Sequence, residues 1–294
     1  MKNDAYLIDA SIFVFRSYYS MPDQFQAKNG DNINAVYGFA RFLARFIHKT
    51  KAKYIACAFD ESLETSFRNE IYPEYKANRE PAPDDLKRQF KLCQQVAEVM
   101  GVTTYSDGYY EADDLIGTLA YHFNNLGFRN HIISADKDLA QLVNSNDTWW
   151  NFGKDSALNE SEILLKFGVH PYQIADFLAL TGDSVDNIKG VPGIGAKTAI
   201  ILLNHFNTLD EILKRHTEIT YLSFRGAKSC AKKIAAHKKD AILAKKLTQI
   251  VTDIPLDSYE ISRGPINHDR IQKLFDYLNF GPLLRRNILE LNNI

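Results

Sequence analysis

Three cysteines in 294 residues, Cys57, Cys93 and Cys230, are too few and too far apart for a disulfide framework, and the lack of any C-x-x-C pair argues against a thiolate zinc site. They read as reduced, mostly buried thiols. Long hydrophobic runs are also missing, because charge interrupts every apolar stretch well before the roughly 18 residues a membrane span requires. The amino terminus, Met1-Lys2-Asn3-Asp4-Ala5, enters a strand pattern directly and shows no signal-peptide organisation. Cytoplasmic residence and no membrane partner are therefore expected. Net charge of either sign is lacking, the formal sum being −1, which by itself does not suggest a nucleic-acid binder. Apolar content of 45% is ample for one large domain or two ordinary ones, with a monomer as the default.

The placement of the charges says more than their sum. Nine carboxylates fall in five short clusters: Asp9; Asp60; Glu111, Asp113 and Asp114; Asp136 and Asp138; Asp183 and Asp186. Three clusters close apolar runs that read as buried strands, namely Tyr6-Leu7-Ile8-Asp9, Ile55-Ala56-Cys57-Ala58-Phe59-Asp60 and His131-Ile132-Ile133-Ser134-Ala135-Asp136. In an open parallel sheet the carboxyl ends of the strands share one rim, where ligands bind. Acids brought together there repel one another unless divalent cations neutralise them. Neutralising the nine moves the charge of the chain from −1 to +8. Ten basic residues between Lys214 and Lys246, Lys228 and Lys232 among them, stand against two acids, Glu218 and Asp240. Such a stripe suits a polyanion, or equally a solvated helix face.

The first half alternates strand-like and helical patterns, as in βαβ units. Strands are expected at 6–9, 54–60, 102–105, 131–135 and 148–151, and helices at 34–51, 83–100 and 112–125. From about residue 159 strand signals nearly vanish. Helical spacing then appears at 160–167, 171–181, 196–206, 210–215, 228–250 and 269–278. The expectation is an α/β fold with a mainly parallel central sheet flanked by helices, divided softly into 1–168 and 169–294.

Each acidic cluster alone has a structural explanation. Asp9-Ala10-Ser11 can cap a following helix, and Glu111 to Asp114 can place acids against a helix dipole. Taken together they favour a metal site: all-oxygen ligands suit Mg²⁺ or Mn²⁺, and more acids than one ion needs suggest two ions. No histidine accompanies them at ligand spacing, which disfavours zinc. The run Gly190-Val191-Pro192-Gly193-Ile194-Gly195-Ala196-Lys197-Thr198 departs from a P-loop, since Ala196 separates Gly195 from Lys197 and no strand precedes it. A helix-hairpin-helix gripping a DNA backbone fits better, and a ligand-free glycine turn is the plain alternative. The stretch 67–79 interleaves basic and aromatic side chains, Arg68, Tyr75, Lys76 and Arg79 among them, a mixture that suits single-stranded nucleic acid.

The runs Leu7-Ile8-Asp9-Ala10-Ser11, Phe67-Arg68, Tyr75-Lys76-Ala77-Asn78-Arg79, Tyr110-Glu111-Ala112-Asp113-Asp114, Asp136-Lys137-Asp138 and Gly182-Asp183-Ser184-Val185-Asp186-Asn187-Ile188 resemble the bacterial 5′-nuclease family. It includes the 5′-3′ exonuclease domain of DNA polymerase I and the flap endonucleases. The resemblance, which covers the chain to about residue 290, implies a metal-dependent phosphodiesterase acting on DNA 5′ ends and 5′ flaps, in replication or repair. By motif match Asp9, Asp60, Glu111 and Asp113 would hold one Mg²⁺ or Mn²⁺, and Asp136, Asp138 and Asp183 a second, with Asp113 shared. Asp114 and Asp186 match further acidic positions of that set. A helical arch at about 67–90 would carry Lys76 and Arg79 to the scissile phosphate and Tyr75 to an unpaired base, with Arg68 also on DNA. A hairpin at about 171–206 would bind duplex through Gly190, Gly193, Gly195 and Lys197, with K⁺ on the carbonyls of Val191 and Ile194. Two departures are Lys189, where many relatives carry proline, and Ser134-Ala135, where Thr-Gly is common. No polymerase domain is expected to follow. A ribonuclease would explain the acids but not the hairpin, and a non-catalytic DNA-binding module would leave the acids unexplained.

Overall fold

The computed structural model describes residues 3–62 and 65–293, so that Met1, Lys2, Leu63, Glu64 and Ile294 lie outside the description. Six strands form one sheet: β1 (Asp4–Asp9), β2 (Tyr54–Asp60), β3 (Thr103–Asp107), β4 (Arg129–Ile133), β5 (Thr148–Asn151) and β6 (Ser156–Leu158), in the order β3-β2-β1-β4-β5-β6. The first five are parallel, and β6 alone runs antiparallel, on β5. Strand order reverses at β1, which pairs with β2 on one side and β4 on the other. That reversal opens a crevice at the carboxyl ends of β1 and β4, the usual ligand position in an open α/β sheet.

The helices of the first half are α1 (Ala10–Ser20), α2 (Asn34–Thr50), α3 (Phe67–Ile71), α4 (Asp84–Val99) and α5 (Ala112–Asn125). The second half contains α6 (Glu160–Phe167), α7 (Ile174–Thr181), α8 (Ala196–Phe206), α9 (Leu209–Lys214), α10 (Ala227–Ala236), α11 (Lys238–Thr248), α12 (His268–Tyr277) and α13 (Pro282–Leu289). Alternation along the strands sorts these into two layers. Ala5, Leu7, Ala56, Ala58 and Ile132 face a core shared with α5 to α11. Ile8, Ile55, Cys57, Phe59 and Ile133 face the opposite core, built from α1, α2, α4, α12 and α13. The last two helices thus return to the layer of the first two. The return passes through a close backbone crossing, where a Cβ on Gly101 would lie 2.1 Å from the carbonyl oxygen of Gly264. Only glycine fits there.

Several elements differ from expectation. The fourth strand ends at Ile133 rather than 135, because the Ser134 hydroxyl donates to Asp9 Oδ2 and turns the chain out of the sheet. The pattern over 228–250 breaks at His237 into α10 and α11. The arch region is helical only at its ends, in α3 and α4. Pro73, Pro81 and Pro83 interrupt the segment between them, and Lys76 adopts a left-handed φ of 56°.

Candidate active site

β1 and β2 deliver Asp9 and Asp60 to the rim, and a hydroxyl or helix amide fixes each one. Asp9 Oδ2 accepts from Ser134 Oγ at 2.7 Å, while the Ser134 hydroxyl accepts from the Asp136 amide at 2.9 Å. One serine therefore ties the end of β1 to the loop after β4. Asp60 Oδ1 accepts from the Ala112 amide at 2.9 Å, so the first turn of α5 is anchored on β2. Its own amide donates to Ser11 Oγ at 2.9 Å. Motif reading quoted Ser11 and Ser134 without giving either a role; the structure ties both to the acids.

The electrostatics show what this arrangement costs. Burial and the neighbouring Asp60 push the Asp9 carboxyl up to about 7, and burial with Asp136 pushes Asp138 up to about 7. Asp60, Asp113 and Asp136 are raised as well, by burial first and then by the charges around them. Glu111 differs: burial would raise it, but Lys76 and Arg68 outweigh burial and hold it below the usual carboxylate range. Asp138 Oδ1 is buried without a hydrogen-bond partner. Among the described residues its one ion-pair contact is Lys137 Nζ at 3.7 Å; raised carboxylates around so weakly held an oxygen are what a hard divalent cation would relieve, so the all-oxygen donor set fits such an ion. Among the described residues no three of these acids are drawn into a finished metal cage. Lysines stand among them instead: Lys76 Nζ lies 2.7 Å from Glu111 Oε1, and Lys137 Nζ lies 3.2 Å from Asp183 Oδ2.

Three expected site roles need correction. Asp114 is fully buried, with both oxygens held by Arg68 at 2.7 and 2.8 Å, so it has no lone pair facing a metal at the rim. Arg68 is only 3% exposed and spends its other donors on Glu111 Oε2 and the carbonyls of Leu247 and Gln249. It cannot touch DNA without breaking that network. Tyr75 is 3% exposed, with its hydroxyl donating to Glu111 Oε2 at 3.0 Å and Asp186 Oδ2 at 3.2 Å, so its ring offers no face to a base.

The rest of the arch lies over the acids. Arg79 pairs with Asp186, the Lys76 amide donates to the Asp186 carbonyl at 3.0 Å, and Asn78 Nδ2 donates to the Ser184 carbonyl at 2.9 Å. Asp183 closes a short bridge with Ile188 and accepts from the Val185 amide at 2.8 Å. The glycine turn follows at once. A Cβ on Gly190 would lie 2.2 Å from the Gly182 nitrogen, and Gly193 has φ +73° with the Lys233 ammonium resting on it. Gly193, Gly195 and Lys197 are exposed where α8 begins, as are Lys228 and Lys232 on α10. Free amides at a helix start beside lysines suit a backbone phosphate.

Models of two domains match this chain. "5'-3' exonuclease, N-terminal resolvase-like domain" covers residues 4–168, and "5'-3' exonuclease, C-terminal SAM fold" covers 169–268. The chain belongs to the 5′-3′ exonuclease family. Curated members include the 5′-3′ exonuclease of Aquifex aeolicus, 38% identical over 95% of this chain and 93% of that protein. Another, from Buchnera aphidicola of Schizaphis graminum, is 36% identical over 95% of this chain and 98% of that one. Among solved structures, T5 5′-exonuclease with bound zinc shares the fold, with a TM-score of 0.69 at 17% identity over 99% of both chains. The T5 D15 flap endonuclease, in a pseudo-enzyme-product complex with DNA and metal ions, matches with a TM-score of 0.65 at 18% identity over 99% of this chain and all of that one. Among the described residues no helix is long and apolar enough to cross a membrane.

Proposed function

We propose that this chain is a structure-selective 5′-nuclease that hydrolyses DNA phosphodiester bonds at 5′ ends and 5′ flaps, leaving 5′-phosphates, with two divalent ions. The observation that carries the reading is the acidic crevice at the switch point of the sheet, with a basic arch and an exposed helical hairpin beside it. Family membership and the DNA and metal seen with the T5 enzyme support it.

Asp9, Asp60, Glu111 and Asp113 would hold one Mg²⁺ or Mn²⁺, and Asp136, Asp138 and Asp183, with Asp113 shared, a second. Such ions supply a nucleophilic hydroxide and stabilise charge on the reacting phosphate. Asp186 instead orients the arch through Tyr75 and Arg79. With a cation on Glu111, Lys76 would be released to face the scissile phosphate, while Arg79, held by Asp186, would stand beside it; positive charge placed there favours the transition state. The hairpin holds the duplex by phosphates alone, which gives placement without sequence preference. A K⁺ on the carbonyls of Val191 and Ile194 would strengthen that grip; the Val191 carbonyl already accepts from the Ile194 amide, which shapes the turn. We assign 1–168 as the nuclease core and 169–294 as the helical DNA-binding region, acting as a cytoplasmic monomer in replication or repair. The test is cleavage of a 5′-flap duplex with Mg²⁺ against EDTA. An uncut flap at enzyme excess would sink the reading.

A further inference from the structure

A groove of about 1080 Å³ opens beside Asp60 and runs between α4 and α12. A smaller cavity of about 320 Å³ lies under the arch, lined by Lys76, Arg79 and Glu111. Asp60 and Ser62 line both, so the two spaces adjoin at the active-site carboxylate.

The groove's walls have a regular composition. From α4 come Lys87, Lys91 and the adjacent Gln94 and Gln95, and from α12 Arg270, Lys273 and Tyr277, with steps of three or four so that each row follows one helix face. Lys91 and Lys273 are exposed, and no ion pair among the described residues engages either of them. Of the three acids present, Asp60 is assigned to the metal site, Glu98 is taken up by Arg270 at 3.7 Å, and Glu61 next to Asp60 is exposed, so the cationic character lies along the helices and not at the Asp60 end. Tyr277 contributes an exposed aromatic side chain. Basic side chains in two rows, with an aromatic at the end of one, match an unpaired nucleic-acid strand, which needs cations for its phosphates and ring faces for its bases. The α4 wall from Lys87 to Glu98 is about 16 Å long, room for several nucleotides of one strand.

We infer that this groove holds the single-stranded 5′ arm of the substrate after it has passed beneath the arch. The inference rests on the nuclease reading, because it needs a strand continuous with a phosphate at Asp60. It assigns the α4 and α12 faces, remote from the glycine hairpin, to the displaced strand. Recognition is of the sugar-phosphate chain and not of sequence.

The test uses the full chain in EDTA with 5′-flap DNA whose arm carries a photoreactive 5-iodouracil several nucleotides beyond the junction. Crosslinks to peptides from 84–99 or 268–277 are expected. Crosslinks confined to other peptides would overturn the inference. In parallel, the pair Lys91→Glu and Lys273→Glu should weaken binding of a long-armed flap about tenfold, but that of a single-nucleotide flap less than about twofold. An unchanged long-arm affinity would also overturn it. Mg²⁺-dependent cutting of the single-nucleotide flap by the wild-type enzyme reports on the nuclease reading separately. Loss of cutting with the crosslinks intact would remove that reading and leave the groove standing as a strand-binding site.

Discussion

Arg68 and Asp114 face each other across the base of the arch in a two-pronged ion pair, 2.7 and 2.8 Å, with almost no solvent contact on either. The pair does more than cancel charge. Arg68 also donates to the carbonyls of Leu247 and Gln249 at the end of α11, and Asp114 accepts from the amides of Glu111 and Val251. Two side chains therefore bind α3, the start of α5 and the end of α11 into one support beneath the catalytic rim.

Breaking that pair should be costly. Arg68→Met or Asp114→Asn is expected to lower stability by about 3–5 kcal/mol, the range for stranding one partner of a buried pair. The double change Arg68→Met with Asp114→Leu should recover less than half, because the backbone groups both side chains serve would remain unpaired. Urea denaturation of the three variants measures this. A double variant as stable as wild type would show that the backbone contacts contribute nothing.

Ser134 is expected to set metal affinity while touching no metal. Ser134→Ala leaves a buried Asp9 oxygen without its donor and the Asp136 amide without its acceptor, at roughly 1–3 kcal/mol. With the two carboxylates no longer tied together, the Mg²⁺ concentration for half-maximal cleavage should rise about tenfold, which is ~1.4 kcal/mol. Ser134→Thr keeps the hydroxyl and should restore it. A Mg²⁺ titration in which alanine matches wild type would refute the role.

Much of the frame was readable beforehand because the local signals agree there. The stretches 112–125, 160–167 and 196–206 combine a start signal with helical spacing, and each is a helix over that span. Asp9 and Asp60 close buried runs and stand at the rim. What escaped depends on distant partners. Nothing local distinguishes Arg68 from a phosphate-binding arginine, since its mates lie 46 and about 180 residues away. The pattern of 67–79 likewise does not reveal that Tyr75 turns inward. The short strand β6 and helix α13 carry too few periodic residues to stand out.

His131 should give the fold an acid-sensitive contact away from the metal site. Its ring stacks on Tyr6 with centroids 4.8 Å apart and meets Thr148 Oγ1 at 2.8 Å, and burial lowers its pKa despite the nearby Asp4. The unfolded chain then binds the proton more readily, so stability rises with pH through the window below about 6.5 and is lost as pH falls. His131→Phe removes the titrating group. The difference in urea midpoint between wild type and variant should therefore move in favour of the variant from pH 7.5 to pH 5. A difference independent of pH would show that the ring is not held neutral.

Asp113 should separate stability from catalysis. It is half-buried beside Asp9, Asp136, Asp60 and Glu111, and desolvation first, then those charges, raise its pKa well above the ordinary value. In EDTA, Asp113→Asn removes one member of a self-repelling group and should raise the melting temperature. The same change deletes the carboxylate proposed to bridge both ions, so Mg²⁺-dependent flap cleavage should fall by at least about 10³-fold, while flap binding in EDTA stays within about twofold. Retained cleavage would remove Asp113 from the metal site. A lower melting temperature would mean that the acid supports the fold, and that the repulsion at the rim is not held in reserve for metal.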